Sequence, residues 1–226
     1  MQVKSFKKYF VTEEPEQKLR FLIYCATLKK DYEKSNSHTI AMLVQQALEE
    51  LGCECEIIIA NELSFEPGVD LVDQSGNADD LTHVLEKIKE CNGLIIATPI
   101  WWGVYSSYVQ ALFERMSYFD DEYIKRNISM MYGKTFGGII SGEDDGWQQI
   151  QGLMGSFMTQ LGFTLPPEAF IADENQSKNK IKQDSDLQER IAVFVRNQKT
   201  FAEMLKATNF AGQQSAKLNK TGETYT

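Results

Sequence analysis

Leu19-Arg20-Phe21-Leu22-Ile23-Tyr24-Cys25-Ala26-Thr27 is the stretch that decides the fold. It is short, apolar and rich in β-forming side chains, and polar sequence follows it. Such a run suits a strand buried on both faces, because both of its side-chain rows are apolar. Residues 28–38 are polar, with Lys29, Lys30 and Lys34 among hydroxyls and an amide. Ile40, Leu43, Val44, Ala47, Leu48 and Leu51 then recur at helical spacing, and Gly52 fits a helix stop.

The alternation continues along the chain. Cys55–Ala60 reads as a second strand, and Leu81, Val84, Leu85 and Ile88 as the stripe of a second helix. Asp79 and Asp80 sit near that helix's positive end. Leu94–Ile100 is a third strand. Ser107 and Gln110 form a capping-box pair ahead of Leu112, Phe113 and Met116 in a third helix. Thr135–Ser141 is a fourth strand. Trp147, Ile150, Met154, Phe157 and Leu161 mark a fourth helix, stopped by Gly162. A fifth strand falls around Ala169–Ala172. Ser185 and Gln188 form another capping-box pair before a helix carrying Leu187, Ile191, Phe194 and Val195. Strands alternating with helices predict an α/β parallel sheet covered on both faces. Right-handed crossovers leave few topologies, and the loops at the carboxyl ends of the strands are where a site belongs. The domain is expected over 19–206. An arm (1–18) with the breaker Glu13-Glu14-Pro15-Glu16 precedes it, and a polar tail (207–226), expected to be mobile, follows.

The chain has 226 residues, 42% of them hydrophobic, enough for one well-buried domain. Acidic residues outnumber basic ones 32 to 23, a net charge of −9, which repels a phosphate backbone and argues against nucleic acid as a partner. No apolar run approaches the ~18–20 residues that cross a bilayer. The lysines near the N-terminus have no apolar stretch behind them, so no secretory signal is read there. Four cysteines without a Cys-x-x-Cys pair point to buried free thiols in a reducing compartment, expected to be the cytoplasm, with no membrane partner. Two histidines are too few for an evident zinc site or a hydrolytic triad.

Three loops are candidates for chemistry. The first, Thr27 to Thr39, ends at a helix start and carries Thr27, Ser35, Asn36, Ser37 and Thr39. Hydroxyls and unpaired amides at a helix N-terminus make a phosphate cradle, although Ser37 could equally be only the helix cap. It is neither a Walker A nor a Gly-x-Gly-x-x-Gly loop. The second, Thr98-Pro99-Ile100-Trp101-Trp102-Gly103-Val104-Tyr105, sets aromatics just after a strand. They are either local packing or an aromatic wall for a planar ligand. The third, Ser141-Gly142-Glu143-Asp144-Asp145-Gly146, has glycines that let backbone approach a ligand. Its acids lack the alternation of a calcium loop and read as a solvated turn. His38 and His83 read as surface residues. Together the loops suggest a nucleotide-like cofactor with a planar ring.

At these loops the sequence resembles the flavodoxin-like NAD(P)H-dependent FMN reductase family, over about Leu19 to Leu205. The matching pieces are Ala97 to Gly103 with Ser106-Ser107 and Phe113-Glu114-Arg115, then Ser37-His38-Thr39, and then Ser141-Gly142 through Gly146. The resemblance implies a flavodoxin-like three-layer sandwich with a five-stranded parallel sheet in order 2-1-3-4-5 and noncovalent FMN. By that carry-over Thr27, Ser37, His38 and Thr39 hold the phosphate, and Lys29 stands where the family often has Arg. Pro99, Ile100, Trp101, Trp102 and Gly103 line the ring and ribityl chain, and Ser141, Gly142 and Glu143 border the ring's other edge.

The resemblance also implies a two-electron oxidoreductase. NADPH or NADH would be the donor, and a quinone, flavin or similar small molecule the acceptor. A homodimer or tetramer is expected, with the aromatic segment Ser117 to Gly133 building the dimer face, a lid or local core. No side-chain acid or base is needed, so no catalytic residue is nominated, and the cysteine motif of iron–sulfur flavoproteins is missing. The first loop is longer than is usual in the family, with Asp31, Tyr32 and Glu33 inside it, and an acidic pair beside a phosphate is unfavourable unless it points away. Two rivals remain: a flavodoxin-type electron carrier, disfavoured by the lack of Thr-Gly-x-Thr-Gly, and a non-enzymatic module that keeps the fold.

Overall fold

In the computed structural model of the chain, residues 18–72, 75–142, 146–174 and 178–210 are described. The opening strand, β1 (Arg20–Cys25), alternates as a doubly buried strand must. Phe21, Ile23 and Cys25 enter one hydrophobic layer, and Leu22 and Tyr24 the other. β1 pairs with β2 (Glu54–Ile59) on one side and with β3 (Gly93–Pro99) on the other, so that Ile23 lies between Ile57 and Ile95. β4 (Thr135–Gly142) and β5 (Phe170–Glu174) extend the sheet beyond β3. All pairings between these strands are parallel, as the alternation predicts, and the order is β2-β1-β3-β4-β5, as the resemblance implies.

The helices divide between the two faces. Buried side chains of α1 (Asn36–Glu50), α5 (Lys178–Ile181) and α6 (Ser185–Ala207) join the first layer. Those of α2 (Asp80–Glu90), α3 (Ser107–Arg126) and α4 (Trp147–Leu161) join the second. The first layer reaches very close to β4. A Cβ built on Gly137 would lie 2.6 Å from both Gln198 Nε2 and Phe194 Cζ. These contacts leave no room there for anything larger than glycine.

Several boundaries differ from the sequence reading, for identifiable reasons. α3 runs on to Arg126 and stops at Asn127, whose φ is 54°. The aromatic segment is therefore largely the helix's own second half. Phe119 and Met131 are buried in the second layer, so part of the segment is local core. The predicted capping boxes do not form, and both helices have their N-cap position one residue earlier. α3 is preceded by Ser106, whose hydroxyl donates to Ala26 O (2.7 Å) and whose N–H donates to Thr98 Oγ1 (3.0 Å). α6 is capped by Asp184, whose carboxylate accepts from Asp186 N (2.9 Å) and Leu187 N (3.1 Å). Ser106 is drawn to β1 and β3 rather than to the helix amides, while Asp184 caps through its carboxylate, and a spacing rule sees neither. α5 is too short to show a period and was not foreseen.

α6 closes at Ala207, one residue beyond the expected domain limit. The arm up to residue 17 and the tail from 211 lie outside the described residues. The cysteines are free, with Cys25, Cys53 and Cys91 buried. Burial pushes the Cys25 thiol up to about 12 and those of Cys53 and Cys91 up to about 11, so they stay protonated. Among the described residues no helix is long and apolar enough to cross a membrane, and no cluster of three metal-ligating side chains occurs.

Candidate functional site

Three strands end side by side at the carboxyl edge, and their loops are stitched together. Beyond β1, Ala26 N–H still donates to Ala97 O (2.7 Å) and the Ser106 hydroxyl holds Ala26 O. Thr27 is buried, and its hydroxyl accepts from Lys29 N (3.2 Å). The long first loop then coils on itself. Tyr32–Lys34 form a 3-10 turn, Lys29 Nζ donates to Lys34 O (2.8 Å), and Lys34 pairs with Asp31 (2.7 Å). α1 begins with Ser35 as its cap, the side chain accepting from His38 N (3.4 Å). Within the first turn, Ser37 Oγ lies 2.7 Å from Ser141 Oγ at the end of β4, and both residues are buried.

The second loop is a tight reversal. Trp101 N–H donates to Val104 O (2.8 Å) and Val104 N–H to Trp101 O (3.1 Å). Trp102 (φ 54°) and Gly103 (φ 76°) at its tip both have positive φ, as a type I′ turn requires. Trp101 is 58% exposed and Trp102 96%. Local packing therefore does not account for them, and the aromatic-wall alternative stands. β4 ends closely against this loop: Ile100 N–H donates to Ser141 O (2.8 Å), and a Cβ on Gly142 would meet Ile100 Cβ at 2.7 Å.

The three segments surround one cavity of about 610 Å³, a size that suits a small-molecule ligand. The first loop gives it Thr27, Leu28 and Lys29, and the start of α1 gives Ser35, Asn36 and Ser37. The second loop gives Pro99, Ile100, Trp101, Trp102 and Gly103, and β4 gives Ser141 and Gly142. Most predicted site residues are thus brought together.

His38 and Thr39 do not line this cavity, contrary to the expectation for them. Each residue turns the helix by about 100°, so they leave the cavity wall. Thr39 is buried and its hydroxyl donates to Ser35 O (2.8 Å). His38 sets its ring edge-on to Tyr32 at 5.0 Å and lines a separate pocket with Glu33. Glu143 lies outside the described residues. Leu28, Ser35 and Asn36 are lining residues that the site prediction left out. For Ser35 and Asn36 the available signal was the helix cap, which is Ser35, two residues earlier than Ser37. Neither Asp31 nor Glu33 lines the cavity, so the acidic pair does point away.

The donor set suits a phosphate joined to a planar group. Hydroxyls, a helix N-terminus and the Lys29 ammonium occupy one part of the wall, while Leu28, Ile100 and two tryptophans supply apolar surface. No carboxylate side chain lines it among the described residues. The family model for NADPH-dependent FMN reductase matches residues 19–177. The chain belongs to that family.

The chain is 26% identical over 158 residues to the 8-demethyl-8-aminoriboflavin-5'-phosphate synthase of Streptomyces davaonensis, covering 67% of this chain and 62% of that enzyme. The chain thus spans about three fifths of that relative's length. Among solved structures, RosB with bound 8-demethyl-8-formylriboflavin-5'-phosphate superposes with TM-score 0.72 at 21% identity, covering 92% of this chain and 90% of that one. An NADH:FMN oxidoreductase in apo form gives TM-score 0.59 at 14% identity, covering 82% and 89%. At these identities the structural likenesses speak for the fold.

Proposed function

We propose that this protein is an FMN-dependent NAD(P)H oxidoreductase that delivers two electrons to a small planar acceptor such as a quinone or a free flavin. The carrying observation is that one cavity combines the hydroxyl-bearing start of α1 with the exposed tryptophans of the Trp101–Val104 turn. The net reaction is NADPH plus a proton plus quinone, giving NADP+ and hydroquinone. FMN, when bound, supplies the two-electron chemistry that links donor to acceptor.

The chain's own residues bind and orient. Ser35, Asn36 and Ser37 would hold the phosphate at the α1 N-terminus, where amides and hydroxyls favour an anion. Lys29 would offset its charge: Nζ gives one donor to Lys34 O, and an ammonium has three. Pro99 to Gly103 would flank the ring, with Gly142 letting Ile100 pack against the end of β4. Ser141, tied to Ser37, fixes the spacing between the phosphate end and the sheet edge.

The test is steady-state NADPH and NADH oxidation with 2-methyl-1,4-naphthoquinone, before and after adding FMN to flavin-stripped protein. The expected result is turnover that depends on FMN. No turnover with FMN bound favours the electron carrier, and failure to bind FMN favours the non-enzymatic module.

A second reading is supported by the sequence likeness to the 8-demethyl-8-aminoriboflavin-5'-phosphate synthase, 26% identical over 67% of this chain. In that reading the flavin phosphate is the substrate and leaves altered. Mass spectrometry of the flavin recovered after turnover separates the two. An unchanged FMN mass supports the cofactor role.

A further inference from the structure

The amino edge of the sheet, opposite the candidate site, carries a cleft of its own. β2 is the last strand on its side of the sheet. Ile58 packs into the second layer, and side chains alternate along a strand, so Glu56 and Glu54 turn to the same face. Both stay exposed, because α2 lies over β1 and leaves this end of β2 uncovered. The bare strand face and the last turn of α2 enclose a cavity of about 220 Å³. Buried Leu22 and Cys91 give it an apolar lining. Arg20, Glu54, Glu56, Lys87 and Glu90 add charge around it. Arg20 pairs with Glu90 (3.4 Å) and Lys87 with Glu56. Glu54 has no ion-pair partner among the described residues, so the cleft has one carboxylate in excess.

The chain passes beside this cleft as it enters β1. Leu19 O accepts from Glu54 N (2.8 Å), and Arg20 N donates to Asn92 Oδ1 (2.9 Å), which fixes the entry point between β2 and β3. Residues 1–17 lie outside the described residues. Their sequence includes Val3-Lys4-Ser5-Phe6-Lys7-Lys8-Tyr9-Phe10-Val11, basic and aromatic with no acid, and the acids Glu13, Glu14 and Glu16 follow it. Residues 12–18 can span about 23 Å when extended. The outer side of β2 lies about 10 Å from β1, so residues 3–11 are within reach of the cleft.

We propose that the cleft is the seat of this chain's own residues 3–11, with aromatic side chains on Leu22 and Cys91 and the lysines against Glu54, Glu56 and Glu90. A ring set into the cleft takes apolar surface of both partners out of water, and the lysine stems add to it. The excess carboxylate selects the basic stretch over the acidic one that follows. This inference is independent of the flavin reading, because the cleft lies at the other edge of the sheet.

The test replaces Phe6 in the full chain with the photo-crosslinker p-benzoylphenylalanine and maps the products by mass spectrometry. The expected products join position 6 to residues 20–22, 54–56 or 87–91 of the same chain. Crosslinks to a second chain, crosslinks elsewhere on the fold, or none at all overturn the proposal. Trypsin supplies a separate readout. Docked, the bonds after Lys4, Lys7 and Lys8 are cut several times more slowly than in a synthetic peptide of residues 1–18, because cutting tracks the undocked fraction. Cutting at the peptide's rate in the unaltered protein overturns the proposal. Glu54→Arg, a change at an exposed position, speeds the cutting up to about fivefold, the range of one exposed ion pair. An unchanged rate in that variant overturns the pairing of the lysines with the acidic side of the cleft.

Discussion

Ser37 shows how much one hydroxyl decides. Its Oγ sits 2.7 Å from Ser141 Oγ, between the start of α1 and the end of β4, on the wall of the cavity. A hydrogen bond to a charged group is worth about 1.5–3 kcal/mol. Ser37→Ala is therefore expected to weaken FMN binding tenfold or more and riboflavin binding far less, because only FMN carries the phosphate. Flavin-fluorescence titration of both ligands checks this, and an equal loss for the two would count against a phosphate role. Ser37, His38 and Thr39 are adjacent in sequence and look like one motif. The helix sends Ser37 toward β4 and Thr39 back onto Ser35 O. Residue type was legible at this point, but the face was not, because loop length sets where the helix begins.

Among the elements, α3 carries a structural device that its sequence motif did not disclose. Arg115, only 2% exposed, interrupts an apolar stripe and uses every donor. Nε bonds Gly68 O (3.2 Å), Nη1 bonds Asp79 Oδ1 (2.7 Å) and Thr82 Oγ1 (2.9 Å), and Nη2 bonds Glu66 O and Asp79 Oδ2 (both 2.9 Å). The guanidinium thereby ties α3 to α2 and to the long connection between β2 and α2. Asp79 also caps α2 by accepting from Thr82 N (2.9 Å).

Breaking such a pair from one side strands the buried partner, so Asp79→Ala is expected to cost about 3–5 kcal/mol in urea unfolding. Burial alone would raise the Asp79 carboxyl. The Arg115 and Thr82 hydrogen bonds outweigh that and hold it below the ordinary carboxylate value. A depressed folded value means that its contribution is full above the unfolded pKa of about 3.9 and is lost as pH falls through the folded one. Below about pH 4 the urea midpoint of the unaltered protein should drop more steeply than that of Asp79→Ala. In β4, Gly137→Ala should cost about 1–3 kcal/mol by overpacking against Phe194 and Gln198. Equal stability would show that α6 can retreat.

For the whole molecule, binding and stability are linked. A ligand at a hundred times its Kd adds about 2.7 kcal/mol. At about 2–4 °C per kcal/mol for a chain of this size, FMN in such excess should raise the melting temperature by several degrees, measured by near-UV circular dichroism. No rise at any FMN concentration would speak against the site.

The global architecture was legible because the sheet is buried on both faces. Continuous apolar strands such as Leu94–Ala97 and periodic helices such as α2 leave little choice of layer. Less legible were the features set by context: the short α5, the cap Asp184, the tie of Ser106 to Ala26, and the exposure of Trp101 and Trp102. None of these has a local period or spacing that determines it.

The most direct measurement is the anaerobic visible spectrum of the purified protein, loaded with FMN, freed of unbound flavin and titrated with NADPH or NADH. The predicted result is a retained flavin band that bleaches with nicotinamide and returns when 2-methyl-1,4-naphthoquinone is added. A protein that retains no flavin, or whose flavin stays oxidised in excess NADPH and NADH, would contradict the account.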